Sequence, residues 1–285
     1  RNNLIRIGGL DADYVDSIME SPVGMETPFY YRNKAQFPFG KNKEGKTITG
    51  FYAGRTHSII ENTDCALGVD ENKVILEKIL KYMEEEKVAP YEEETHKGLL
   101  RHALIRKGFA TGQLMVCLVI NGKKLPAEDK LVQSLLEVEG MTSISVSVNT
   151  EKTNVIMGKE IRLLYGSEQI EDEIDGITFK ISPLSFYQVN PAQTEHLYEK
   201  AIACAKLTGK ETVIDAYCGT GTIGIIASKH AKEVLGVELN KDAIRDAVIN
   251  AKRNDIKNIK FVNDDAGKYM VSLAEKKENV DVVIM

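Results

Sequence analysis

The spacing of hydrophobic and polar residues along the chain changes at Ser182. Over residues 30–181, apolar residues occur in short stretches that often alternate with polar ones, which is typical of strands with one buried face. Two stretches with helical spacing, 70–88 and 126–138, interrupt these strands. This combination predicts an α+β central domain over residues 30–181, preceded by a linker or helical segment over residues 1–29.

Beyond residue 182, strand-like and helix-like stretches alternate. Four predicted strands, from ETVIDAY to VDVVIM, are separated by three predicted helices. This order predicts a parallel sheet with helices on its faces, so residues 182–285 should form a Rossmann-like α/β domain. A further helix is predicted to begin at Asn190, which is a good N-cap, with Pro191 in the first position and Gln193 completing a capping box.

Length and composition fit a protein of about two domains, since 43% of the 285 residues are hydrophobic. No apolar run is long enough to span a bilayer and no signal peptide is recognisable, so no membrane partner is expected. The cysteines at positions 65, 117, 204 and 218 lie far apart, which is not the pattern of a disulfide framework. The reducing cytoplasm is the expected location.

The net charge of −5 argues against a protein that coats nucleic acid indiscriminately. The cations of the first half are nevertheless concentrated in two groups. Either group alone is typical of a solvated face, but two such groups in an acidic protein favour a site for a polyanion. The first group comprises Arg32, Lys34, Lys41, Lys43, Lys46 and Arg55 against one acid, Glu44, and the second comprises Lys97, Arg101, Arg106 and Lys107.

A glycine-rich turn after the first strand of the α/β domain predicts a cofactor site. Gly219, Gly221 and Gly224 fit the pattern G-x-G-x-x-G, in which glycines let the backbone turn tightly and approach a ligand. The N-terminus of the following helix favours anionic or polar groups. Glu238 ends the next strand, where an acid can accept hydrogen bonds from both ribose hydroxyls. The glycines alone are also compatible with a dinucleotide.

The residues before the glycines separate the candidate cofactors. The strand ends in Asp215, whereas a dinucleotide fingerprint runs from an apolar strand straight into its first glycine. An acid at this place suits an ammonium or sulfonium group and disfavours a pyrophosphate. S-adenosylmethionine is therefore the favoured cofactor, and NAD is the alternative. A later strand offers Asp264, or else Asp265, to the adenine amino group. In the simplest interpretation without a ligand, Asp215 caps a turn and Glu238 is a surface residue.

Several stretches resemble one family, the RNA (uracil-5-)-methyltransferases that act on ribosomal and transfer RNA. In the second half they are PLSFYQVNPAQTEHLY, VIDAYCGTGTIGIIAS and VLGVELNKDAIRDAVINAKRN. Upstream, PFYYRNKAQFPF and HKGLLRHALIRKG resemble the insert domain of the branch that acts on 23S ribosomal RNA. The resemblance covers most of the chain. It implies methylation of carbon 5 of a uridine in 23S ribosomal RNA, with S-adenosylmethionine as the methyl donor.

The resemblance also implies roles for individual residues of the cofactor site. Gln188 matches the family's cofactor-binding glutamine, at the methionine end, and Tyr217 matches the aromatic residue that lines the cofactor. Glu238 matches the ribose-binding acid. Thr222 occurs where some members have a cofactor-contacting asparagine. The expected cofactor residues are Gln188, Tyr217, Gly219, Gly221, Thr222, Glu238 and Asp264.

The two basic groups of the insert domain should face the RNA, with Arg32, Lys34, Arg55 and Arg101 as the expected contacts. Cys65 resembles the last of four cysteines that hold a [4Fe-4S] cluster in many relatives. The other three would precede Arg1, and one thiolate cannot hold such a cluster. We therefore expect Cys65 to be a metal ligand in a longer parent protein, or else a buried free cysteine.

In this family a cysteine thiolate adds to carbon 6 of uracil, carbon 5 accepts the methyl group, and a base removes the proton. The family's nucleophilic cysteine and basic glutamate follow an Asp-Pro-Pro motif, which should begin where this chain reaches Met285. None of the four cysteines matches the nucleophile. We therefore expect no catalytic residue in this chain, and an inactive fragment that self-associates through the cut edge of its sheet.

Two other functions fit parts of the sequence. The chain could serve only to bind RNA, because the residues that make and break bonds are not found in it. Alternatively it could belong to a methyltransferase for small molecules, in which case the basic groups of the insert domain would have no role.

Overall fold

A computed structural model describes all 285 residues of the chain. The helices are α1 (Asn2–Arg6), α2 (Ala12–Ile18), α3 (Glu71–Glu85), α4 (Glu128–Leu136), α5 (Pro191–Ala205), α6 (Thr222–Ser228), α7 (Lys241–Arg253) and α8 (Ala266–Glu275). The strands are β1 (Lys34–Lys41), β2 (Thr47–Tyr52), β3 (Ile59–Glu61), β4 (Leu100–Lys107), β5 (Leu114–Ile120), β6 (Met141–Val148), β7 (Glu160–Gly166), β8 (Ile170–Ile174), β9 (Ile177–Ile181), β10 (Thr212–Ala216), β11 (Glu233–Glu238), β12 (Ile259–Asn263) and β13 (Val282–Ile284).

The first half of the chain forms a seven-stranded sheet in the order β3-β2-β1-β4-β5-β6-β7. All neighbouring strands are antiparallel except β5 and β6, which are parallel and are joined through α4. One face of this sheet packs against α3 and α4 in an apolar core that contains Phe37, Ile75, Leu118 and Leu131. The α+β architecture predicted for this part of the chain is confirmed, whereas strands β3 and β8 were not predicted.

The opposite face of this sheet packs against the β8–β9 hairpin and the second half of the chain. Leu104 of β4 and Met115 of β5 belong to the same buried cluster as Ile177 and Phe179 of the β8–β9 hairpin and Ile225 of α6. The hairpin pairs only with itself and forms a separate two-stranded sheet. Because β4 and β5 are covered on both faces, nearly every residue in them is buried.

Two asparagines, one in α7 and one that follows it as the C-cap, take the place of a neighbouring strand beside β9. The side chain of Asn250 accepts from the Lys180 N–H at 2.9 Å, and that of Asn254 accepts from the Thr178 N–H at 3.1 Å. The Asn254 amide also donates to the Thr178 carbonyl at 2.8 Å. The Asn250 amide donates to the Thr220 carbonyl at 3.3 Å, so α7 joins the hairpin to the glycine-rich turn.

The second half of the chain contains a parallel sheet in the order β12-β11-β10-β13. The chain leaves β10 toward β11 and β12, then crosses back to place β13 on the other side of β10. The Rossmann-like α/β fold predicted for residues 182–285 is thereby confirmed. In sheets of this kind, ligands bind beyond the carboxyl ends of the strands where the strand order reverses, which here is the end of β10.

Most predicted helices are present, with small differences at their ends. Asn190 caps α5 as predicted, because its side chain accepts from the Gln193 N–H at 3.2 Å. The capping box is incomplete, since the Gln193 amide donates instead to the Gly24 carbonyl. The helix expected over 126–138 begins only at Glu128, after Ala127 in a left-handed conformation. None of the helices is both long enough and apolar enough to cross a membrane.

Candidate functional site

The turn from Tyr217 to Gly221 connects β10 to α6 and defines the candidate site. Three of its residues have left-handed backbone conformations, with φ of +63° at Tyr217, +55° at Gly219 and +82° at Gly221. The turn is closed by the Gly221 N–H, which donates to the Cys218 carbonyl at 2.8 Å. A left-handed conformation is strained for a bulky residue, and such strain occurs mainly at ligand sites.

Two glycines allow this turn to pack closely against its surroundings. A Cβ atom at Gly221 would lie 2.9 Å from the Phe261 ring and 3.1 Å from the Ala247 side chain. A Cβ atom at Gly224 would lie 2.5 Å from a carboxylate oxygen of Asp215. At both positions a side chain would therefore collide with neighbouring atoms, so glycine is required. At Gly221 the left-handed backbone conformation is a second reason for glycine.

Glu238 ends β11 beside the turn and orders it. One carboxylate oxygen accepts from the Gly219 N–H at 3.1 Å, and the other accepts from the Asn240 N–H at 2.8 Å. Glu238 is half-buried, and each of its oxygens keeps a second lone pair. The arrangement leaves an oriented carboxylate that can accept two more hydrogen bonds from a ligand at the ends of β10 and β11.

Asp215 is placed differently from our expectation. Its carboxylate is buried, with 2% exposure, and accepts from the Gly224 N–H at 2.9 Å. Burial raises the pKa of the Asp215 carboxyl to about 7, the hydrogen bond from Gly224 opposes this change, and the charge of Glu238 adds to it. Asp215 therefore holds the first turn of α6 through the Gly224 N–H and does not face a cationic ligand. This corrects the interpretation made from the sequence.

A cleft of about 660 Å³ opens between the seven-stranded sheet and the parallel sheet. Such a volume is within the range of about 300–1,000 Å³ found for small-molecule sites. Of the seven cofactor residues expected from the sequence, Gly219 and Glu238 line it. Its lining residues are Ser145, Lys159, Ile161, Leu163, Glu168, Gln169, Ser182, Pro183, Leu184, Ser185, Phe186, Gly219, Thr220, Glu238, Asn240, Asp242, Ala243, Arg245 and Asp246.

The charges of the cleft favour a cationic or neutral ligand. Glu168, Glu238, Asp242 and Asp246 contribute four carboxyl groups, against two cations. One of the cations, Arg245, is paired with Asp242 at 3.3 Å. Burial raises the pKa of Asp246, which accepts a hydrogen bond from Ser185. A phosphate would meet repulsion in this cleft, whereas a sulfonium or ammonium group would be attracted.

The structure also identifies cleft residues that the sequence reasoning missed. Ser182, Ser185 and Phe186 form one wall, and Phe186 is 72% exposed although it is a large aromatic residue. Phe186 belongs to a motif that supported the family resemblance, but its exposure could not be read from the pattern. The α7 residue Asp246 carries no sequence signal, because it lies among several charged residues of an amphipathic helix.

The other expected cofactor residues lie around the cleft rather than in its lining. Tyr217 is 66% exposed at the end of β10, and Asp264 is exposed just after β12, so both lie at the carboxyl edge of the sheet. Thr222 is buried in the first turn of α6, with its hydroxyl 3.4 Å from that of Thr220. The Gln188 carbonyl accepts from the Asn33 side chain at 2.9 Å, on the side of the insert domain.

The prediction that Arg101 contacts RNA is wrong. Its side chain is buried, donates to the Asn149 and Glu151 carbonyls at 3.0 and 2.9 Å, and lies 4.3 Å from the centre of the Tyr91 ring. Lys107, from the same basic group, is paired with Glu71 at 2.5 Å. These cations belong to a strand that is covered on both faces, so they serve the fold.

The first basic group is more accessible. Arg55 is exposed in the turn between β2 and β3. Arg32 and Lys34 are half-buried beside a second cavity of about 380 Å³, and no ion pair is formed by any of these three cations. Burial lowers the pKa of Lys34 to about 8, and the charges of Arg106 and Arg32 add to this effect. An anion would relieve that repulsion.

The cysteines do not form a metal site, and the two buried ones are not activated nucleophiles. Cys65 is half-buried beside the second cavity, and no group of three or more histidine, cysteine or acidic side chains able to hold a metal is formed. The chain alone therefore does not fit a [4Fe-4S] cluster, which takes four ligands. Burial raises the pKa of the Cys117 thiol to about 11 and also raises that of Cys218, so both are poor nucleophiles.

The residues present do fit S-adenosylmethionine. The carboxyl edge of a parallel sheet, a turn shaped by glycine and an oriented Glu238 provide a place for a nucleoside. The acidic lining of the cleft is compatible with the positive charge of a sulfonium and an amino group.

Comparison with known proteins supports the same conclusion. Residues 207–285 match a family described as a methyltransferase domain. The chain is 44% identical over 286 aligned positions to a protein of Clostridium tetani, and 39% identical to one of Staphylococcus aureus, both named uncharacterized RNA methyltransferases. All of this chain is aligned in both, but it spans 61% and 63% of their length.

The chain also resembles a solved structure, the tRNA (uracil-54, C5)-methyltransferase of Pyrococcus abyssi in complex with S-adenosyl-L-homocysteine. The TM-score is 0.70 and the identity is 27%, over 83% of this chain and 56% of that one. The second half of the chain therefore has the fold of S-adenosylmethionine-dependent methyltransferases, and its curated relatives are named RNA methyltransferases.

The buried Asp215 should make stability depend on pH. Its carboxyl is protonated in the folded chain up to about pH 7 but ionises near 3.8 in the unfolded chain. The unfolded state therefore binds fewer protons between these values, and the free energy of unfolding should fall as pH rises, by up to about 1.4 kcal/mol per pH unit. Asp215→Asn, which keeps an acceptor for Gly224, should remove this slope.

Urea unfolding of both proteins, at intervals between about pH 4 and pH 8, measures the difference. Asp255→Asn is the matched control, because it removes a carboxylate that is 84% exposed. Parallel profiles for the wild type and Asp215→Asn would contradict the assignment.

Proposed function

We propose that this chain carries the cofactor-binding and RNA-binding residues of an RNA methyltransferase that transfers a methyl group from S-adenosylmethionine to carbon 5 of a uridine. The observation that carries this proposal is the Gly219–Glu238 hydrogen bond at the cleft, on a fold similar to that of a tRNA (uracil-54, C5)-methyltransferase. Large-subunit ribosomal RNA is the proposed substrate, because the insert domain resembles that branch of the family.

In this proposal, residues 182–285 bind the methyl donor and residues 30–181 bind RNA. Glu238 accepts hydrogen bonds from the ribose hydroxyls, and Asp264 takes the adenine amino group at the carboxyl edge of the sheet. Tyr217 covers the cofactor, and its exposed ring is available for that contact. Gln188 is proposed for the methionine end of the cofactor.

The two basic side chains beside the second cavity are proposed to meet the phosphate backbone. Arg32 and Lys34 lack acidic partners, and Arg55 extends the positive surface along the β2–β3 turn. In this proposal the acidic cleft binds the cofactor and the target base, whereas the basic side chains of the insert domain bind the phosphates. Phosphates contact the insert domain, while an uncharged base can enter the cleft without repulsion.

Glu238→Ala should weaken the binding of S-adenosylhomocysteine by about 1–3 kcal/mol, or roughly 5- to 150-fold, because charged hydrogen bonds to the ribose are lost. Calorimetric titration of the 285-residue chain measures this affinity. Glu278→Ala, which removes an exposed glutamate after α8, is the control and should bind like the wild type. Equal affinities for wild type and Glu238→Ala would remove the ribose assignment.

The double variant Arg32→Ala/Lys34→Ala should bind RNA more weakly and with less dependence on salt. Each lost phosphate contact reduces the slope of log affinity against log salt concentration by about 1, so the slope should fall by about 2. Fluorescence anisotropy with a uridine-containing ribosomal RNA hairpin gives the slope.

Lys123→Ala/Lys124→Ala provides a control with the same change in net charge, at two exposed residues of the insert domain. This control should keep the wild-type slope. If the two double variants changed the slope equally, the effect would come from net charge alone and not from a phosphate site.

A further inference from the structure

Arg106 is buried in β4 without a carboxylate partner. Its side chain has 2% exposure, and no acidic side chain forms an ion pair with it. Burial lowers the pKa of Arg106 to about 10. A buried guanidinium without a counter-ion is unfavourable, so its presence at the interface of the two halves requires a reason.

The one side-chain hydrogen bond of Arg106 crosses to the other half of the chain. Its Nη2 donates to the main-chain carbonyl of Ser185, while its Nε has no partner. Ser185 lies in the short segment between β9 and α5 that forms one wall of the cleft. A residue of the insert sheet therefore fixes a main-chain atom at the cleft.

Ser185 is held from the opposite side by the α/β domain. Its hydroxyl donates to Asp246 of α7 at 3.0 Å, and its N–H donates to the Ser182 hydroxyl at 3.2 Å. The Ser182 N–H in turn donates to the Ser185 hydroxyl at 2.9 Å. Every polar group of Ser185 is thus bonded, and its backbone is fixed between β4 and α7.

The residues on either side of Phe186 differ sharply from it in exposure. Ser185 is 7% exposed and Tyr187 is 4% exposed, whereas Phe186 is 72% exposed and lines the cleft that Gly219 and Glu238 also line. The backbone of Phe186 therefore lies between two buried neighbours, which keeps its exposed ring at the cleft.

We propose that Arg106 is a positioning residue, which together with Asp246 fixes the wall Ser182–Phe186 of the cleft and so sets the distance between the RNA base and the methyl donor. The assignment of base and donor rests on the proposed function, whereas the positioning of the wall does not. The insert domain then has a second task besides RNA binding, because one of its strands shapes the site.

The chain contains no tryptophan, so Phe186→Trp introduces a single fluorescent reporter at the wall. In this background, Arg106→Met removes the donor at similar length, Arg106→Lys keeps one donor, and Asp246→Ala removes the second anchor. Arg162→Met is the matched control, because Arg162 is paired with Glu128 within the insert domain at 2.5 Å.

Time-resolved fluorescence anisotropy reports the mobility of the tryptophan, whereas quenching would not, because position 186 is already 72% exposed. We expect Arg106→Met and Asp246→Ala to raise the amplitude of the fast, local anisotropy decay by about twofold or more, with Arg106→Lys close to the parent, because a loosened wall lets the side chain move on the nanosecond scale. Arg162→Met should leave this amplitude unchanged. Equal mobility in the parent, Arg106→Met and Asp246→Ala would overturn the proposal, as would an equal increase in Arg162→Met.

Asp246→Ala keeps this test decisive if Arg106→Met does not fold, because Asp246 lies at the half-buried surface of α7. Titration with S-adenosylhomocysteine separates the two proposals. A wall that loosens in a chain without affinity for this ligand supports the positioning role and contradicts the proposed function. A rigid wall in all variants of a chain that binds the ligand contradicts the positioning role alone.

Discussion

The turn Tyr217–Gly221, which follows β10, lies close to β11, α7 and α6 at the same time. The candidate cofactor site depends on this close packing. Gly221 is the residue where a side chain would collide with Phe261 and Ala247, and Gly224 is the residue that admits the Asp215 carboxylate. The turn then brings the Gly219 N–H within 3.1 Å of Glu238. Glu238 at the end of β11 and the turn at the end of the neighbouring strand β10 therefore form one continuous surface.

Two halves of different construction meet around this surface. The insert sheet contributes Leu104 and Met115 to an apolar cluster shared with the β8–β9 hairpin and α6. Within the same interface, Arg106 and Asp246 hold Ser185 by polar contacts. Apolar burial holds the two halves together, while directional hydrogen bonds set the position of the cleft wall. This division explains why a buried arginine is retained where an apolar residue would be more favourable.

The elements with strong local signals were predicted well. Alternation of strands and helices gave the parallel sheet, Asn190 was identified as a cap, and the glycines placed the turn. Charge patterns were less reliable, because they do not show which face of a strand is covered. Arg101 was assigned to RNA although β4 is buried between helices and the hairpin, and Asp215 was assigned to a ligand although it bonds Gly224. Both errors concern tertiary packing, which no local pattern encodes.

We propose that Glu238 and the turn beside it serve methyl transfer to uridine in ribosomal RNA. The most direct measurement is the quantity of 5-methyluridine in 23S ribosomal RNA, determined by mass spectrometry of its nucleosides in cells that lack the gene. We expect this nucleoside to decrease on deletion, to return with the wild-type gene, and to stay low with a gene carrying Glu238→Ala. An unchanged amount in the deletion strain, or full restoration by Glu238→Ala, would contradict the claim.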